Sequence, residues 1–503
     1  MIDRVQVKYQ SQLQDWVALL SGCLLPLSFA PFNFWPSALL APAALFWTTY
    51  DSIRYRTIWR FYLFNVGMFS VGISWIFISI NVYGGASVLL AGILVALFVL
   101  AFSLLCLPQA WVYATWLRHN SCSAAAAFIG LWVLQEWFRG WFLTGFPWLF
   151  LGYGVMETPL VHLAPLLGIF GVSLAACACS VYFVLAMIQF RSVFLLVPLI
   201  IIVLALAASS INHTDHQEDI TVSLVQGNVD QHIKWNSENR IPILNQYLSA
   251  SASEWGRDII VWPEAAVTLL GYDADLRLAE VKRNGARHGT TLVTGIPDFD
   301  ENGGFQNTVL ALGNGSGQYI KRRLVPFGEY VPLEGLLRGL IQFFDLPMSR
   351  NTPGPLLQPP LLAGELLLSI SICYEVVYPE LVRQSARDAD LLVTVSNDTW
   401  FGSSIGPWQH LQMARMRALE NGRFMVRATN NGITALIDHR GTLQGSLPQF
   451  ETGVLRGDAE IRTGATFFNR FGSLPSFVLC IFLILVSVSQ SLRLFRAHGD
   501  VKS

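Results

Sequence analysis

The chain has 503 residues, of which 53% are hydrophobic and 13% are charged, and its formal net charge is −1. A charged share about half the usual one excludes a wholly soluble protein. A net charge near zero gives no footing for nucleic acid as a partner.

The imbalance is local. Residues 1–214 and 474–494 run long distances almost without charge, whereas 215–472 has ordinary soluble composition. Three parts are expected: an N-terminal membrane domain at 1–214, a soluble domain at 215–472, and a C-terminal span with a tail at 473–503.

In chain order, the first apolar runs are Trp16–Ala30 and Trp35–Tyr50, read as a helical pair split at Pro31-Phe32-Asn33-Phe34. Longer runs follow at Ile58–Ile80, Ser87–Trp116, Cys122–Trp137, Leu163–Phe190, Ser192–Ser209 and Leu474–Leu494. A membrane-crossing helix needs roughly 20 mostly apolar residues, so the expectation is about eight spans, seven of them before residue 214.

With Arg4 and Lys8 inside, even-numbered spans exit near Arg54, Arg56 and Arg60, then Arg118, Arg191, and finally Arg493, Arg496 and Lys502. The opposite loops are nearly uncharged apart from Arg139. This asymmetry places the soluble domain on the outer, periplasm-like face of the membrane. The first apolar run lacks a convincing cleavage site, so no removable signal is expected. Glu136 and Arg139, near the outer end of the fifth span, read as interfacial charges within reach of a lipid headgroup.

Within 215–472, strands are expected at Ile220–Val225, Asp258–Trp262, Thr291–Thr294, Asn307–Leu312, Leu366–Cys373, Asp390–Val395 and Thr434–Asp438. Helices are expected at Ile241–Arg257, Ala274–His288 and Trp408–Asn421. The alternation predicts an α/β domain. Leu346–Pro360, with five prolines, reads as a long loop and a candidate lid.

Six of the seven cysteines lie in or beside apolar runs, and Cys373 alone belongs to the soluble domain. It ends the strand-like SISICYE, where a side chain reaches the carboxyl edge of a sheet. It reads either as incidental core or as a nucleophile. No histidine is an obvious base, and His410 simply opens the helix PWQHLQMARMRALE. Glu264 in IIVWPEAAV and Lys321 in YIKRRLVPFGEYVPLE are the other candidates, each also readable as a solvated charge. No metal-ligand cluster or cofactor motif stands out, and neither a cofactor nor a metal is expected.

WPEAA, KRRLVPFGEYVPLE and ICYE, in that order, resemble the Glu-Lys-Cys motifs of the nitrilase (carbon-nitrogen hydrolase) superfamily. With flanking membrane runs, and with TGFPWLFLGY, VQGNVDQHIKW and SNDTWFGSSIGPWQHLQMARMRALE, nearly the whole chain is similar to the apolipoprotein N-acyltransferase family. The resemblance implies a polytopic α-helical membrane domain joined to an αββα sandwich. It implies Glu264 as general base, Lys321 as stabiliser of the tetrahedral intermediate and Cys373 as nucleophile. Glu329 and Glu375 would be supporting carboxylates, with Tyr374, Trp235 and Asn397 near the acyl site.

The implied reaction moves an acyl chain from the sn-1 position of a phospholipid, phosphatidylethanolamine by expectation, to the N-terminal diacylglyceryl-cysteine of an apolipoprotein. The alternative is a membrane-anchored amidase transferring the same acyl group to water. A non-catalytic lipid- or peptide-binding protein and a transporter fit less well, because the three motifs are intact and the spans carry few ionisable groups. A monomer is expected.

Overall fold

Apolar helices dominate the first part of the computed structural model, which describes residues 2–269, 272–301, 303–331 and 351–499. They are α1 (Ile2–Leu24), α2 (Pro36–Tyr50), α3 (Arg54–Gly72), α4 (Val88–Leu117), α5 (Ser121–Arg139), α6 (Pro159–Gln189) and α7 (Ser192–Ala208). Among the described residues, α4 and α6 are long and apolar enough to cross a membrane. A third candidate is α3 taken with Ile76–Tyr83, a pair bent by 60°.

The remaining expected spans fall short for visible reasons. The 15 residues of α2 rise about 22 Å against a hydrocarbon core of about 30 Å. The first half of α1 is polar, and α5 carries Glu136 and Arg139. These two are not interfacial, as each is 1% exposed. Glu136 accepts the Leu151 N–H at 2.7 Å and the Trp132 indole N–H at 3.0 Å. Arg139 donates to the Trp148 carbonyl at 3.0 Å. A charge that satisfies irregular backbone inside the helical unit has no need of water.

Two compact units make up the chain: residues 1–77, 87–211 and 471–503 form one, and 78–86 with 212–470 the other. The first ends with α12 (Leu474–Gly499), numbered after the soluble helices α8–α11 given below.

The second unit holds two sheets. The six-stranded sheet runs β13-β1-β2-β3-β4-β6, formed by Gly453–Gly464, Thr214–Gln226, Ile259–Val261, Thr291–Phe299, Phe305–Gly313 and Gln318–Ile320. The seven-stranded sheet runs β12-β11-β10-β9-β8-β7-β5, formed by Leu443–Ser446, Ala435–Ile437, Met425–Thr429, Leu391–Ser396, Leu366–Ile372, Leu361–Ala363 and Gly315–Ser316.

Alternation in β1 sends Ile220, Val222 and Leu224 to one face, where they meet Leu368, Ile370, Val393 and Val426 of the second sheet. Val225 on the opposite face packs with Ile243, Leu244 and Tyr247 of α8 (Arg240–Ala250) and with Leu278 and Val281 of α9 (Tyr272–His288). Helices α10 (Pro379–Ala386) and α11 (Gly406–Asn421) pack against the second sheet. The layers are therefore helix, sheet, sheet, helix.

The central strands β8, β9 and β10 are parallel. Strands covered on both faces read as continuous apolar runs, which explains LLLSISI and LLVTVS. Parallel pairing brings the carboxyl ends of β8 and β9, and hence Cys373 and Asn397, to one edge of the sheet. β2 is parallel to β1 and β3 in the facing sheet, and Glu264 follows its carboxyl end.

Candidate active site

Glu264, Lys321, Cys373 and Asn397 each sit just past the end of a strand, where backbone no longer committed to a ladder can turn sharply. Glu264 follows β2 through Pro263, and Ala265 next to it has φ 47°. Cys373 follows β8 with φ 51°, an uncommon conformation for a residue with a side chain. Gly295 on β3 makes room for the first turn: a Cβ there would stand 2.5 Å from the Ala265 nitrogen and 2.7 Å from the Glu264 Cα.

Glu264 is 7% exposed, not a solvated charge, and its two oxygens are divided between partners. Oε1 accepts from Asn307 Nδ2 at 2.5 Å and stands 3.4 Å from Lys321 Nζ. Oε2 accepts the backbone N–H of Asn397 at 2.8 Å. Lys321, 1% exposed, donates to Glu329 Oε1 at 2.6 Å. Burial alone would lower its ammonium, but the carboxylates of Glu329 and Glu264 outweigh that and hold it above its ordinary value. Lys321 is thus a fixed positive charge. Glu329 is itself anchored by the Val325 N–H, which it accepts at 2.8 Å through Oε2.

Cys373 is 9% exposed. Burial pushes its thiol up and the Glu264 charge adds to this, while Lys321 and a hydrogen bond with Ser396 act the other way. The thiol therefore stays protonated at neutral pH unless a base takes the proton, and the carboxylate it senses most strongly is Glu264.

Glu375 does not reach the reacting groups directly. It is fully buried, and Oε1 accepts the N–H of Arg322 at 2.6 Å and of Arg323 at 3.1 Å. Oε2 accepts the Ile372 N–H at 2.9 Å, and the Tyr319 hydroxyl donates to both oxygens. One side chain thereby ties the Cys373 turn to the segment carrying Lys321.

Asn397 touches Glu264 through its backbone, and its side chain donates to Gln231 at 2.8 Å. Trp235 packs edge-on to Phe305 at 6.4 Å, its buried indole N–H without a partner among the described residues. Tyr374 packs on Tyr378 at 5.3 Å, on the elbow beside Cys373. The loop expected at Leu346–Pro360 lies outside the described residues up to 350. Beyond that, Gln358 accepts the Ile320 N–H at 2.8 Å, just before Lys321.

Several functional neighbours carry no sequence signal of their own. Asn307 is one polar residue on β4. Lys234, 1% exposed, donates to the Glu264 carbonyl at 3.3 Å. Burial pushes Lys234 down to about 8, against the opposing pull of Glu264. His410, set aside in the sequence as a helix opener, is 1% exposed and stands 3.1 Å from the Cys373 carbonyl through Nε2. The nearest sign of Lys234 and His410 was their place inside the VQGNVDQHIKW and SNDTWFGSSIGPWQHLQMARMRALE phrases, and Asn307 lay in no such phrase. Among the described residues no group of three or more metal-ligating side chains occurs.

Residues 221–464 match the family model described as carbon-nitrogen hydrolase, and residues 21–182 match that of the apolipoprotein N-acyltransferase N-terminal domain. Apolipoprotein N-acyltransferase from Pseudomonas syringae pv. tomato is 43% identical, over 93% of this chain and 95% of its own. Its counterpart from Azotobacter vinelandii is 43% identical over 93% of each chain. Among solved structures, Saccharomyces cerevisiae Nit3, of the nitrilase superfamily, is 17% identical at TM-score 0.37, covering 49% of this chain and 91% of its own. The full-length relatives decide the matter: the chain belongs to the apolipoprotein N-acyltransferase family.

Proposed function

We propose that this protein transfers an acyl chain from the sn-1 position of a phospholipid, through a thioester on Cys373, to the α-amino group of an apolipoprotein's N-terminal diacylglyceryl-cysteine. The observation that carries this reading is the Lys321 ammonium held between Glu329 at 2.6 Å and Glu264 at 3.4 Å, beside a buried thiol that needs a base.

In the first half-reaction Glu264 takes the thiol proton and the Cys373 sulfur attacks the ester carbonyl carbon. Lys321 stabilises the oxyanion of the tetrahedral intermediate. Collapse breaks the carbon–oxygen bond, and Glu264 returns its proton to the departing lysophospholipid alkoxide. In the second half, the neutral amine attacks the thioester carbonyl, Glu264 accepts the amine proton, and the released Cys373 sulfur recovers it. Glu329 and Glu375 hold the lysine and the nucleophile turn, while Asn397, Trp235 and Tyr374 shape the acyl pocket.

Both substrates keep acyl chains in the bilayer, where withdrawal costs roughly 0.8 kcal/mol per methylene. That favours a multi-pass protein of about eight spans in the bacterial inner membrane, with residues 215–472 on the periplasmic face. Phosphatidylethanolamine is the proposed donor and a monomer the proposed state. Incubating the membrane-purified protein with labelled phospholipid and an apolipoprotein peptide tests the reaction. Labelled N-acyl peptide supports it, and label released only as free fatty acid would instead mark an amidase-like hydrolase.

A further inference from the structure

Buried behind the nucleophile is a cluster of ionisable groups that the acyl-transfer steps do not use. His410, Asp398 and Arg427 are each 2% exposed or less. Arg427 Nη2 donates to Asp398 Oδ2 at 2.7 Å and stands 3.1 Å from His410 Nδ1, while Asp398 Oδ1 lies 3.0 Å from that same nitrogen. Ser396 Oγ donates to Asp398 Oδ1 at 2.6 Å. On the far side of the imidazole, Nε2 is 3.1 Å from the backbone carbonyl of Cys373.

A carbonyl oxygen only accepts, so this contact requires a proton on Nε2. Nδ1 faces both an N–H of Arg427 Nη2 and the Asp398 carboxylate. Burial, followed by the Arg427 charge, holds His410 below its ordinary value against the opposing pull of Asp398 and of the Cys373 carbonyl. Among the described residues, the buried Arg427 Nε and Nη1 groups have no hydrogen-bond partner. Arg427 therefore makes its hydrogen bonds toward this cluster, at a desolvation cost that apolar packing would avoid. Gly432 leaves room for it, since a Cβ there would stand 2.3 Å from Asp398 Oδ2.

The carbonyl that receives the His410 proton belongs to the residue with φ 51°. A non-glycine residue held in that region is strained and persists only where its surroundings fix it. On the chain's own side, Glu375 fixes the N–H of Ile372 ahead of the turn. His410 fixes the carbonyl behind it.

We propose that His410 is a positioning residue for Cys373: its Nε2–H, aimed by Arg427 and Asp398, holds the Cys373 carbonyl and so the left-handed turn that presents the thiol to Glu264 and Lys321. This rests on Cys373 being the nucleophile.

Two amide substitutions separate positioning from packing. In His410→Gln the amide nitrogen reaches the place of Nε2 and can still donate to the carbonyl. In His410→Asn it reaches only the place of Nδ1, leaving the carbonyl without its donor. Each full-length variant is compared with wild type in thermal unfolding, in the rate of acyl-thioester formation from labelled phospholipid, and in Cys373 alkylation by iodoacetamide.

The expected result is a loss of about 100-fold in thioester formation for His410→Asn, an effect of the size a misplaced reacting group produces. His410→Gln should stay within about tenfold of wild type, with alkylation following the same order. Equal rates in the two variants, or rates that simply follow their unfolding temperatures, would overturn the proposal. If His410→Asn does not fold, His410→Gln decides alone, and a folded Gln variant more than tenfold below wild type overturns it. Absence of any acyl group on wild-type Cys373 would defeat the nucleophile reading instead. The iodoacetamide arm needs no acyl donor and still scores His410.

Discussion

The Glu375 carboxylate accepts the backbone N–H of Arg322 at 2.6 Å, which fastens the turn behind Cys373 to the residue that follows Lys321. Without that fastening, the Cys373 thiol and the Lys321 ammonium would ride on independent loops. Glu375→Gln keeps the volume but turns one acceptor into a donor facing backbone N–H groups. Leaving a buried donor unsatisfied costs about 1–3 kcal/mol, so thermal unfolding should fall by several degrees. Thioester formation should fall as well, and an unchanged rate in the folded variant would contradict the role.

Lys321→Ala removes the ammonium expected to face the oxyanion. A loss of ~10²–10³ in turnover is the usual scale for one such donor. The same change removes the positive charge that acts to lower the Cys373 thiol. Iodoacetamide alkylation at pH 7 should therefore slow in this variant, and a rise in alkylation would contradict the placement of Lys321.

Lys234 predicts a trade between stability and activity. Its ammonium is pushed down to about 8 from an ordinary 10.5 by burial. Between those values the unfolded chain binds the proton more tightly than the folded one, so this group's contribution to stability rises with pH across roughly 8 to 10.5. Lys234→Met should raise the unfolding temperature at pH 7 and flatten that rise. Acyl transfer should fall, because the Glu264 carbonyl loses its donor at 3.3 Å. Denaturation curves at pH 7 and pH 10, alongside thioester rates, check both halves.

Acid should weaken the catalytic unit through Glu254, far from the chemistry. Burial would raise this carboxyl, but hydrogen bonds from Arg456, Ser253 and Ser223 outweigh it and hold it at about 2, from an ordinary 4.5. A depressed carboxyl gives stability that is present above the unfolded value and is lost as pH falls from 4.5 toward 2. The Arg456 side chain is 51% exposed, so solvent screening reduces the contribution to about 0.2–1 kcal/mol. Arg456→Gln should lower stability by that amount at pH 7 and by much less at pH 2, where the folded Glu254 is about half protonated.

The chemistry was more legible in the sequence than the scaffold around it. Glu264, Lys321 and Cys373 stood in short phrases whose order could be read directly, and β8 and β9 announced themselves as unbroken apolar runs. β13 did not, because Gly453–Gly464 is an edge strand with one face toward water and reads GVLRGDAEIRTG, charged and glycine-punctuated. β10 was missed because MVRAT has no alternation and carries Arg427, a charge buried for the sake of Asp398.

The membrane part was visible as composition, yet composition does not show where a helix bends. The break between Gly72 and Ile76 turns the chain by 60° in the middle of one continuous apolar run. Pairings such as His410 with the Cys373 carbonyl join residues 37 positions apart. No local pattern encodes such a contact.

The most direct measurement is the mass of the peptide containing Cys373 after incubation of the purified protein with labelled phospholipid and no acceptor. An acyl adduct on Cys373, cleaved by neutral hydroxylamine and absent in Cys373→Ala, is the predicted result. An adduct on another residue, or undiminished acyl transfer by Cys373→Ala, would contradict the account.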